Sequence, residues 1–209
     1  MTTTAGTFAE AKRDAANEHI LTSARRWVLA NGLDATMEQL AVGAGVSRRT
    51  LFRLFGTREQ LLASAFAAGM AEYQHDLPVY EGDRDEWLRA TCEAAHRINV
   101  PTGPGFWELT SRPDLPPDLA ATERDRRRKI RETMLAIARL LWRSSDGVGD
   151  PPDELIATVG AHLSPHFTAA VQVDLGQSWQ VASALAYDSI LHVLQRLTES
   201  TRSQLEHRR

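Results

Sequence analysis

The segment GAGVSRRTLFRLFGTR, residues 43–58, constrains the fold of this 209-residue chain more than any other stretch. It opens on a glycine-rich turn, and Ser47 then stands where the N-cap of a short helix is expected. Arginines at positions 48, 49, 53 and 58 are interleaved with leucine and phenylalanine. A helix with one apolar and one basic face packs on protein through the first face and leaves the second for a polyanion.

Capped helices on both sides extend this pattern. Thr36 is predicted to cap the preceding short helix and Thr57 the following longer one. Two short helices joined by a glycine turn form a helix-turn-helix, whose second helix enters the DNA major groove. There, Arg48, Arg49 and Arg53 fall on one face, and a guanidinium group can pair bidentately with guanine. The alternative interpretation is an ordinary solvated helix face.

The distribution of charge favours a polyanionic partner for the first part of the chain. Residues 1–60 carry eight Lys and Arg against six Asp and Glu, whereas the net charge of the whole chain is −3. The basic excess is therefore confined to the segment that holds the helix-turn-helix. The free backbone N–H groups at the three capped helix starts are expected to hold phosphates.

Residues 20–62 resemble the DNA-binding domain of the TetR family of bacterial transcriptional regulators. The matching motifs are I-L-x-x-A at 20–24, N-G-L-x-A-T at 31–36, A-x-x-A-G-V-S at 41–47, T-L-aromatic-x-x-F at 50–55 and polar-basic-x-x-L-L at 57–62. The resemblance implies a ligand-responsive, sequence-specific repressor, with a DNA-binding domain at 1–60 and an effector-binding and dimerisation domain at 61–209. Its implied partners are double-stranded operator DNA, a small-molecule effector and a second copy of the chain; no cofactor or catalytic residue is implied.

The resemblance also assigns roles to single residues. Thr36, Thr50, Thr57 and Arg58 match positions that usually touch phosphates, and Arg48 and Arg49 match positions that often meet bases. The chain departs from the family pattern where Phe52 replaces a tyrosine, Leu54 replaces a histidine or tyrosine, and Arg49 replaces a small residue. Two expected phosphate hydrogen bonds are lost, and the charges of Arg49 and Arg53 are expected to compensate. The predicted DNA-binding residues are Thr36, Ser47, Arg48, Arg49, Thr50, Phe52, Arg53, Thr57 and Arg58.

Periodicity elsewhere favours helices throughout, so the chain is predicted to be all-α, with a three-helix head and a larger helical body. The first helix is expected to begin near Phe8, where Thr7 and Glu10 have capping-box spacing. Pro165 is expected to bend or break the helix that contains it. The other helices are predicted near residues 84–98, 105–110, 117–143, 153–171 and 176–198.

The body is expected to supply the dimer interface and the effector pocket. In the family, the last two long helices pair between subunits, and here residues 176–198 are apolar over more than one face. The alternative is a helix that is central to a monomer core. Effector pockets are mostly apolar, so the predicted pocket residues are mainly aromatic, and they favour a hydrophobic or planar effector. The alternative for each of these residues is a place in the core. The predicted effector-binding residues are Trp87, His96, Phe106, Trp107, Met134 and Trp142.

Histidine spacing leaves a different class of function open, a helical metal-dependent enzyme. His162 and His166 are four residues apart, as are Asp188 and His192, but Pro165 disturbs the first pair and no zinc motif matches. No metal is therefore predicted. A third possibility is a sensor whose head has lost its affinity for DNA.

The remaining compositional features concern the compartment and one charged run. The lone Cys92 rules out an intramolecular disulfide, and neither a signal peptide nor a membrane-spanning segment is apparent, so a cytoplasmic protein is expected.

The run ERDRRRKIRE at 123–132 has opposite charges three and four residues apart, which favours a salt-bridged solvent face. A role for this run in binding an acidic effector or DNA is the alternative.

Overall fold

The computed structural model describes residues 4–206, and all regular structure within this range is helical, which confirms the all-α prediction. The first helix begins at Thr4, so the expected start near Phe8 was wrong by one turn. The helices are α1 (Thr4–Asn31), α2 (Met37–Gly43), α3 (Arg48–Phe55), α4 (Arg58–Asp76), α5 (Arg84–Asn99), α6 (Pro104–Ser111), α7 (Pro117–Arg143), α8 (Asp153–His162), α9 (Pro165–Ala169), a π-helical segment (Ala170–Asp174) and α10 (Trp179–Glu206).

The chain folds into two compact units. The first comprises the residues up to Glu72 together with Pro101–Arg126, and the second comprises Tyr73–Val100 together with the residues from Arg127 onward. Two of the three boundaries between the units fall inside α4 and α7, and the third lies between α5 and α6. By packing, α6 therefore belongs with the helix-turn-helix. The predicted division into functional domains at residue 60 is a separate statement about activity and stays a prediction.

The core of the first unit forms because α1 to α4 each carry apolar residues at helical spacing. Leu51 of α3 is 0% exposed, so the short recognition helix is anchored by one fully buried side chain. Apolar residues of α2 and α4 are also buried in this core. The buried cluster is Ile20, Ala24, Val28, Leu33, Ala35, Met37, Leu40, Ala41, Ala44, Leu51, Leu61, Leu62, Ala65, Phe66, Leu109 and Leu119.

Two glycines allow α6 to approach the end of α1 very closely. A Cβ atom on Gly105 would lie 2.2 Å from the carbonyl oxygen of Val28, and one on Gly103 would lie 2.4 Å from that of Leu29. Both distances are far below van der Waals contact with backbone atoms that cannot rotate away. Only glycine therefore permits this packing of α6 on α1.

In the second unit, α10 packs against α5 and α8. Its residues Ala182, Ala186, Ile190 and Leu194 are buried. They recur every four residues, which is the spacing of one helix face. Because two of the four are alanines, the neighbouring helices can approach α10 closely.

Pro165 does interrupt the helix predicted over residues 153–171. Helix α8 ends at His162, and Pro165 is the first residue of α9. Ser164 caps α9 by accepting a hydrogen bond from the N–H of Phe167. A proline is tolerated at that position because the first backbone N–H of a helix has no partner in the helix. The prediction of a break at this residue is confirmed.

A search for membrane-spanning segments among the described residues finds no helix that is both long enough and apolar enough to cross a bilayer.

Candidate nucleic-acid interface

Three polar side chains fix the starts of the helices around the glycine turn. The hydroxyl of Thr36 caps α2 by accepting a hydrogen bond from the N–H of Gln39. The side-chain oxygen of Gln39 in turn accepts one from the N–H of Thr36, which makes a capping box. Ser47 caps α3 by accepting from the N–H of Thr50 at 3.1 Å. At the start of α4, Thr57 and Gln60 exchange the same pair of bonds. These three caps confirm the local structure predicted from the sequence.

The exposed face of α3 carries the basic residues. Arg48, Arg49 and Arg53 are exposed. On the opposite side, Leu51 is fully buried, and Val46 and Phe55 are partly buried against the core. Leu54 does not anchor the helix in the same way, because its side chain is 38% exposed. The helix therefore presents three guanidinium groups to solvent from a fixed apolar base.

An aromatic ring lies within this basic face. Phe52 is 41% exposed, and the guanidinium carbon of Arg48 lies 5.2 Å from the centroid of its ring. The two residues are four positions apart, so they occupy adjacent turns of the same helix face. This cation–π contact restricts the Arg48 side chain in the absence of DNA.

Arg58, which the sequence assigns to a phosphate, contacts the chain's own backbone. Its Nη1 donates to the carbonyl oxygens of Leu33 and Ala35 at 3.3 and 3.2 Å, and it forms an ion pair with Glu59 at 2.8 Å. The side chain is about a quarter exposed. Arg58 thus links the start of α4 to the turn between α1 and α2.

The same turn is held from α6. The backbone N–H of Leu33 donates to a carboxylate oxygen of Glu108 at 2.7 Å, and Arg112 pairs with Asp34 at 3.2 Å. At Gly32, where φ is +98°, the chain leaves α1 through the left-handed conformation that the Asn31-Gly32 pair predicts. We refer to Gly32–Ala35 with its partners Arg58 and Glu108 as the α1–α2 brace.

Residues 20–65 match the family model described as bacterial regulatory proteins, tetR family. These residues thus match an N-terminal domain of the TetR family. Its helix-turn-helix is the α2–α3 pair, and the matched segment ends within α4. The resemblance inferred from the motifs is thereby confirmed.

Solved structures share the fold of most of the chain. A tetR-family transcriptional regulator from Streptomyces coelicolor is 12% identical, with a TM-score of 0.65 over 93% of this chain and 86% of its own. A putative transcriptional regulator from Pseudomonas aeruginosa PAO1 is 15% identical, with a TM-score of 0.64 over 92% and 94%. The flavonoid-responsive regulator FrrA is 23% identical, with a TM-score of 0.55 over 88% and 97%. No curated protein matches the sequence.

The residues predicted to bind an effector are divided between the two units. Phe106 and Trp107 belong to the first unit, where they are partly buried and make an edge contact with ring centroids 5.1 Å apart. The other predicted residues belong to the second unit and are buried. These are Trp87, His96, Met134 and Trp142.

Most of the buried predicted residues are already in contact with protein groups. The indole N–H of Trp87 donates to the carbonyl of Pro78 at 2.8 Å, and that of Trp142 donates to the carbonyl of Val148 at 3.3 Å. Gly147 lies directly against the indole of Trp142, because a Cβ atom there would be 2.3 Å from the ring. These contacts close the polar end of each indole.

His96 stands out among the predicted residues because its polar atoms are only half satisfied. Its Nδ1 is 2.8 Å from the hydroxyl of Thr168, whereas the buried Nε2 has no hydrogen-bond partner. Burial lowers the pKa of His96 to about 4, so the ring is neutral near pH 7. Asn99, one turn further along α5, donates to the Thr168 hydroxyl and to the carbonyl of Leu163, both at 3.2 Å. We refer to His96, Asn99 and Thr168 as the His96 cluster.

Sequence reasoning missed a cleft in the first unit. It has a volume of about 220 Å³ and lies between α4 and α7, next to the Glu123–Arg126 ion pair of 2.6 Å. Arg126 also lies over the ring of Phe106, 5.1 Å from its centroid. Phe66 and Met70 lie on the α4 side of the cleft, and no sequence signal indicates that α7 is separated from them by a gap. The lining is Phe66, Ala67, Met70, Ala121, Thr122, Asp125 and Arg126.

The charged run at 123–132 is salt-bridged, but it is not all solvent face. Arg128 and Glu132 form an exposed pair at 3.1 Å, as the alternating charges predict. Glu123, by contrast, is buried, and its partner Arg126 is partly buried with 18% of its side chain exposed. The start of the run therefore contributes to the interior of the first unit.

The histidines proposed as metal ligands have other neighbours. His162 lies 2.9 Å through Nδ1 from the carbonyl oxygen of Thr158, and its ring centroid is 5.0 Å from that of Phe167. Among the residues that the structure describes, no three His, Cys, Asp or Glu side chains are grouped in a way that could hold a metal ion.

Proposed function

We propose that this protein is a sequence-specific DNA-binding transcriptional regulator that acts as a homodimer in the cytoplasm and represses until a small molecule releases it from its operator. The observation that carries the proposal is the exposed face of α3, where three arginines project from a helix anchored by the fully buried Leu51. A basic helix of a helix-turn-helix has this arrangement because one face packs and the other meets DNA. The TetR-family domain supplies the functional context.

Two kinds of DNA contact are proposed. Arg48, Arg49 and Arg53 would meet base edges or nearby phosphates in the major groove. Thr36, Ser47, Thr50 and Thr57 lie at the capped starts of α2, α3 and α4, where hydroxyl and backbone N–H groups can hold phosphates. Phe52 contributes its ring, and Arg58 acts at least in part by holding the α1–α2 brace.

Selection of bound duplexes from a random DNA pool tests this proposal. A two-fold dimer should select an inverted repeat with half-sites about one helical turn apart, or a multiple of it. Its affinity should fall steeply with salt because counterions are released on binding. If no sequence is enriched and binding is absent or insensitive to salt, the head does not bind DNA, and the chain would be a sensor of another kind.

Dimerisation is proposed through α10. Besides its buried stripe, this helix exposes Val181 and Leu185, with 38% and 45% of their surfaces accessible. They are one turn apart on the same face, so they form an apolar patch suited to a second copy of the chain. Sedimentation of the protein should show a dimer, and Leu185→Glu should produce monomers. Gln180→Glu, at an exposed position on a different side of α10, is the control.

The effector is proposed to be a hydrophobic or planar molecule. The predicted wall residues are aromatic or apolar apart from His96, whose free Nε2 could accept or donate one hydrogen bond. FrrA, which shares the fold, is flavonoid-responsive. A panel that includes flavonoids and other planar aromatics should therefore be tested for release of the selected operator. Loss of the response in His96→Leu, with DNA binding retained, would support His96 as an effector contact.

A further inference from the structure

The Arg48–Phe52 pair is the most unusual feature of the exposed α3 face. A large aromatic ring is 41% exposed in the middle of a basic surface, and the neighbouring Leu51 takes the place in the core. The guanidinium of Arg48 covers one side of that ring at 5.2 Å. Since the ring is not used to anchor the helix, its exposed edge and face remain for a ligand.

The chemistry of the major groove limits the bases that Arg48 and Phe52 can recognise. Guanine presents two acceptors, O6 and N7, which suit the fork of an arginine. Thymine presents a C5-methyl group, which suits an apolar side chain such as phenylalanine and which no other base has. Because Arg48 and Phe52 lie side by side on adjacent helical turns, the groups that they contact should belong to neighbouring base pairs.

The absence of a hydroxyl group on Phe52 also favours contact with a base over contact with a phosphate. A tyrosine at this position could donate a hydrogen bond to a phosphate, which carries no sequence information. Phenylalanine cannot do so, so the ring itself is what this residue can offer to DNA. A contact between the ring and DNA would therefore depend on the base rather than on the backbone.

We propose that Arg48 and Phe52 act together to recognise a guanine beside a thymine in each operator half-site. The guanidinium of Arg48 pairs with O6 and N7 of the guanine, and the ring of Phe52 contacts the methyl group of the thymine. Phe52 is also a positioning residue, because its ring restricts the guanidinium before DNA is bound. The inference rests on the proposed DNA-binding function.

Replacement of single atoms in the DNA tests this inference. Starting from a duplex that the wild-type protein selects from a random pool, each thymine would be replaced by deoxyuridine, which lacks only the methyl group. Each guanine would be replaced by 7-deazaguanine, which lacks N7. In wild-type protein, one thymine and a guanine adjacent to it in each half-site should be sensitive. Loss of the methyl contact should raise Kd about fourfold per half-site, the effect expected for one buried methyl group.

Variants of Phe52 test whether its ring causes the sensitivity to deoxyuridine and 7-deazaguanine. Phe52→Ala should abolish the effect of deoxyuridine at that thymine and reduce the effect of 7-deazaguanine beside it, whereas Phe52→Tyr, which keeps the ring, should retain both. Leu54→Ala is the matched control, because Leu54 is similarly exposed at 38% and, having no aromatic ring, cannot make a cation–π contact. Thermal unfolding of each variant confirms that the domain is folded.

The outcomes distinguish this inference from the function on which it rests. If wild-type protein selects an inverted repeat, but Phe52→Ala keeps the full sensitivity to deoxyuridine, or no sensitive thymine lies next to a sensitive guanine, the paired recognition is wrong and the regulator stands. If wild-type protein selects no sequence at all, both proposals fail.

Discussion

The exposed face of α3 and the His96 cluster of the second unit use polar side chains in opposite ways. On α3, Arg48, Arg49 and Arg53 project into solvent, and only Arg48 makes a ring contact. In the His96 cluster, the polar groups are buried, and most of them are hydrogen-bonded to one another. Polar groups that the fold does not use are available to a partner, whereas buried ones are held by the cost of leaving them unpaired. Substitutions should therefore affect binding on α3 and stability in the cluster.

The largest expected effect on stability is its dependence on pH through His96. The pKa of this ring is lowered to about 4 by burial, so at pH 4 to 6.5 the unfolded chain binds a proton that the folded chain does not. Stability is therefore fully present above about pH 6.5 and is lost as the pH falls toward 4, by about 3 kcal/mol from this group. Urea unfolding across this range should show a shallower loss in His96→Asn than in the wild type. His192→Asn, at an exposed position of α10, is the control; equal slopes in the wild type and His96→Asn would contradict the assignment.

The next effect is the loss of the Asn99 side chain. Its amide joins α5 to the carbonyl of Leu163 and the hydroxyl of Thr168. Asn99→Ala leaves both partners short of a donor in a buried site, so we expect a loss of about 2 kcal/mol in the free energy of unfolding. Asn31→Ala provides a comparison, because Asn31 is exposed and bonds only to the carbonyl of Trp27 in its own helix. Comparable losses in the two variants would mean that burial does not set the cost.

A smaller effect is expected at the α1–α2 brace. Glu108→Ala leaves the N–H of the buried Leu33 without its carboxylate partner, which should cost about 1 kcal/mol. Glu132→Ala breaks an exposed ion pair with Arg128 and should cost less than about 0.5 kcal/mol. Thermal unfolding compares the two. If Glu132→Ala is the more damaging variant, the brace does not stabilise the first unit as described.

The smallest effect on stability is expected on α3, where the effect on binding should instead be large. Arg48→Ala or Arg49→Ala should change the free energy of unfolding by less than about 0.5 kcal/mol. Each should weaken operator binding by about 1–3 kcal/mol with relaxed base preference, whereas Arg58→Ala should weaken binding to all sequences alike. Titrations of operator variants and scrambled DNA over a range of salt concentrations separate these cases. Identical behaviour of Arg48→Ala and Arg58→Ala on both kinds of DNA would contradict this division.

The features that the sequence predicted correctly depend on short-range signals. Thr36, Ser47 and Thr57 are caps because each is followed by a helix whose first N–H groups need an acceptor within three residues. Pro165 breaks its helix for an equally local reason, since it cannot donate to the preceding turn. The helix-turn-helix could therefore be recognised and placed on the chain without any knowledge of tertiary contacts.

The features that were missed depend on partners far along the chain. The carboxylate of Glu108 contacts Leu33, 75 residues away, and Arg58 bonds to carbonyls 23 and 25 residues away. Several partners compete for each long side chain, and periodicity does not choose among them. The close packing of α6 on α1 could not be predicted for the same reason, because the requirement for Gly105 appears only when Val28 is seen beside it.

The most direct test of the account is the difference in affinity between a selected operator and a scrambled duplex of the same length. It should be measured for the wild type and for a variant in which Arg48, Arg49 and Arg53 are all alanine, with the free energy of unfolding determined for both. The account predicts that the wild type prefers the operator by at least about a thousandfold. The variant should lose most of this preference while its stability stays within about 1 kcal/mol of the wild type. A variant that still prefers the operator as strongly, or that loses its preference only because it unfolds, would contradict the central claim.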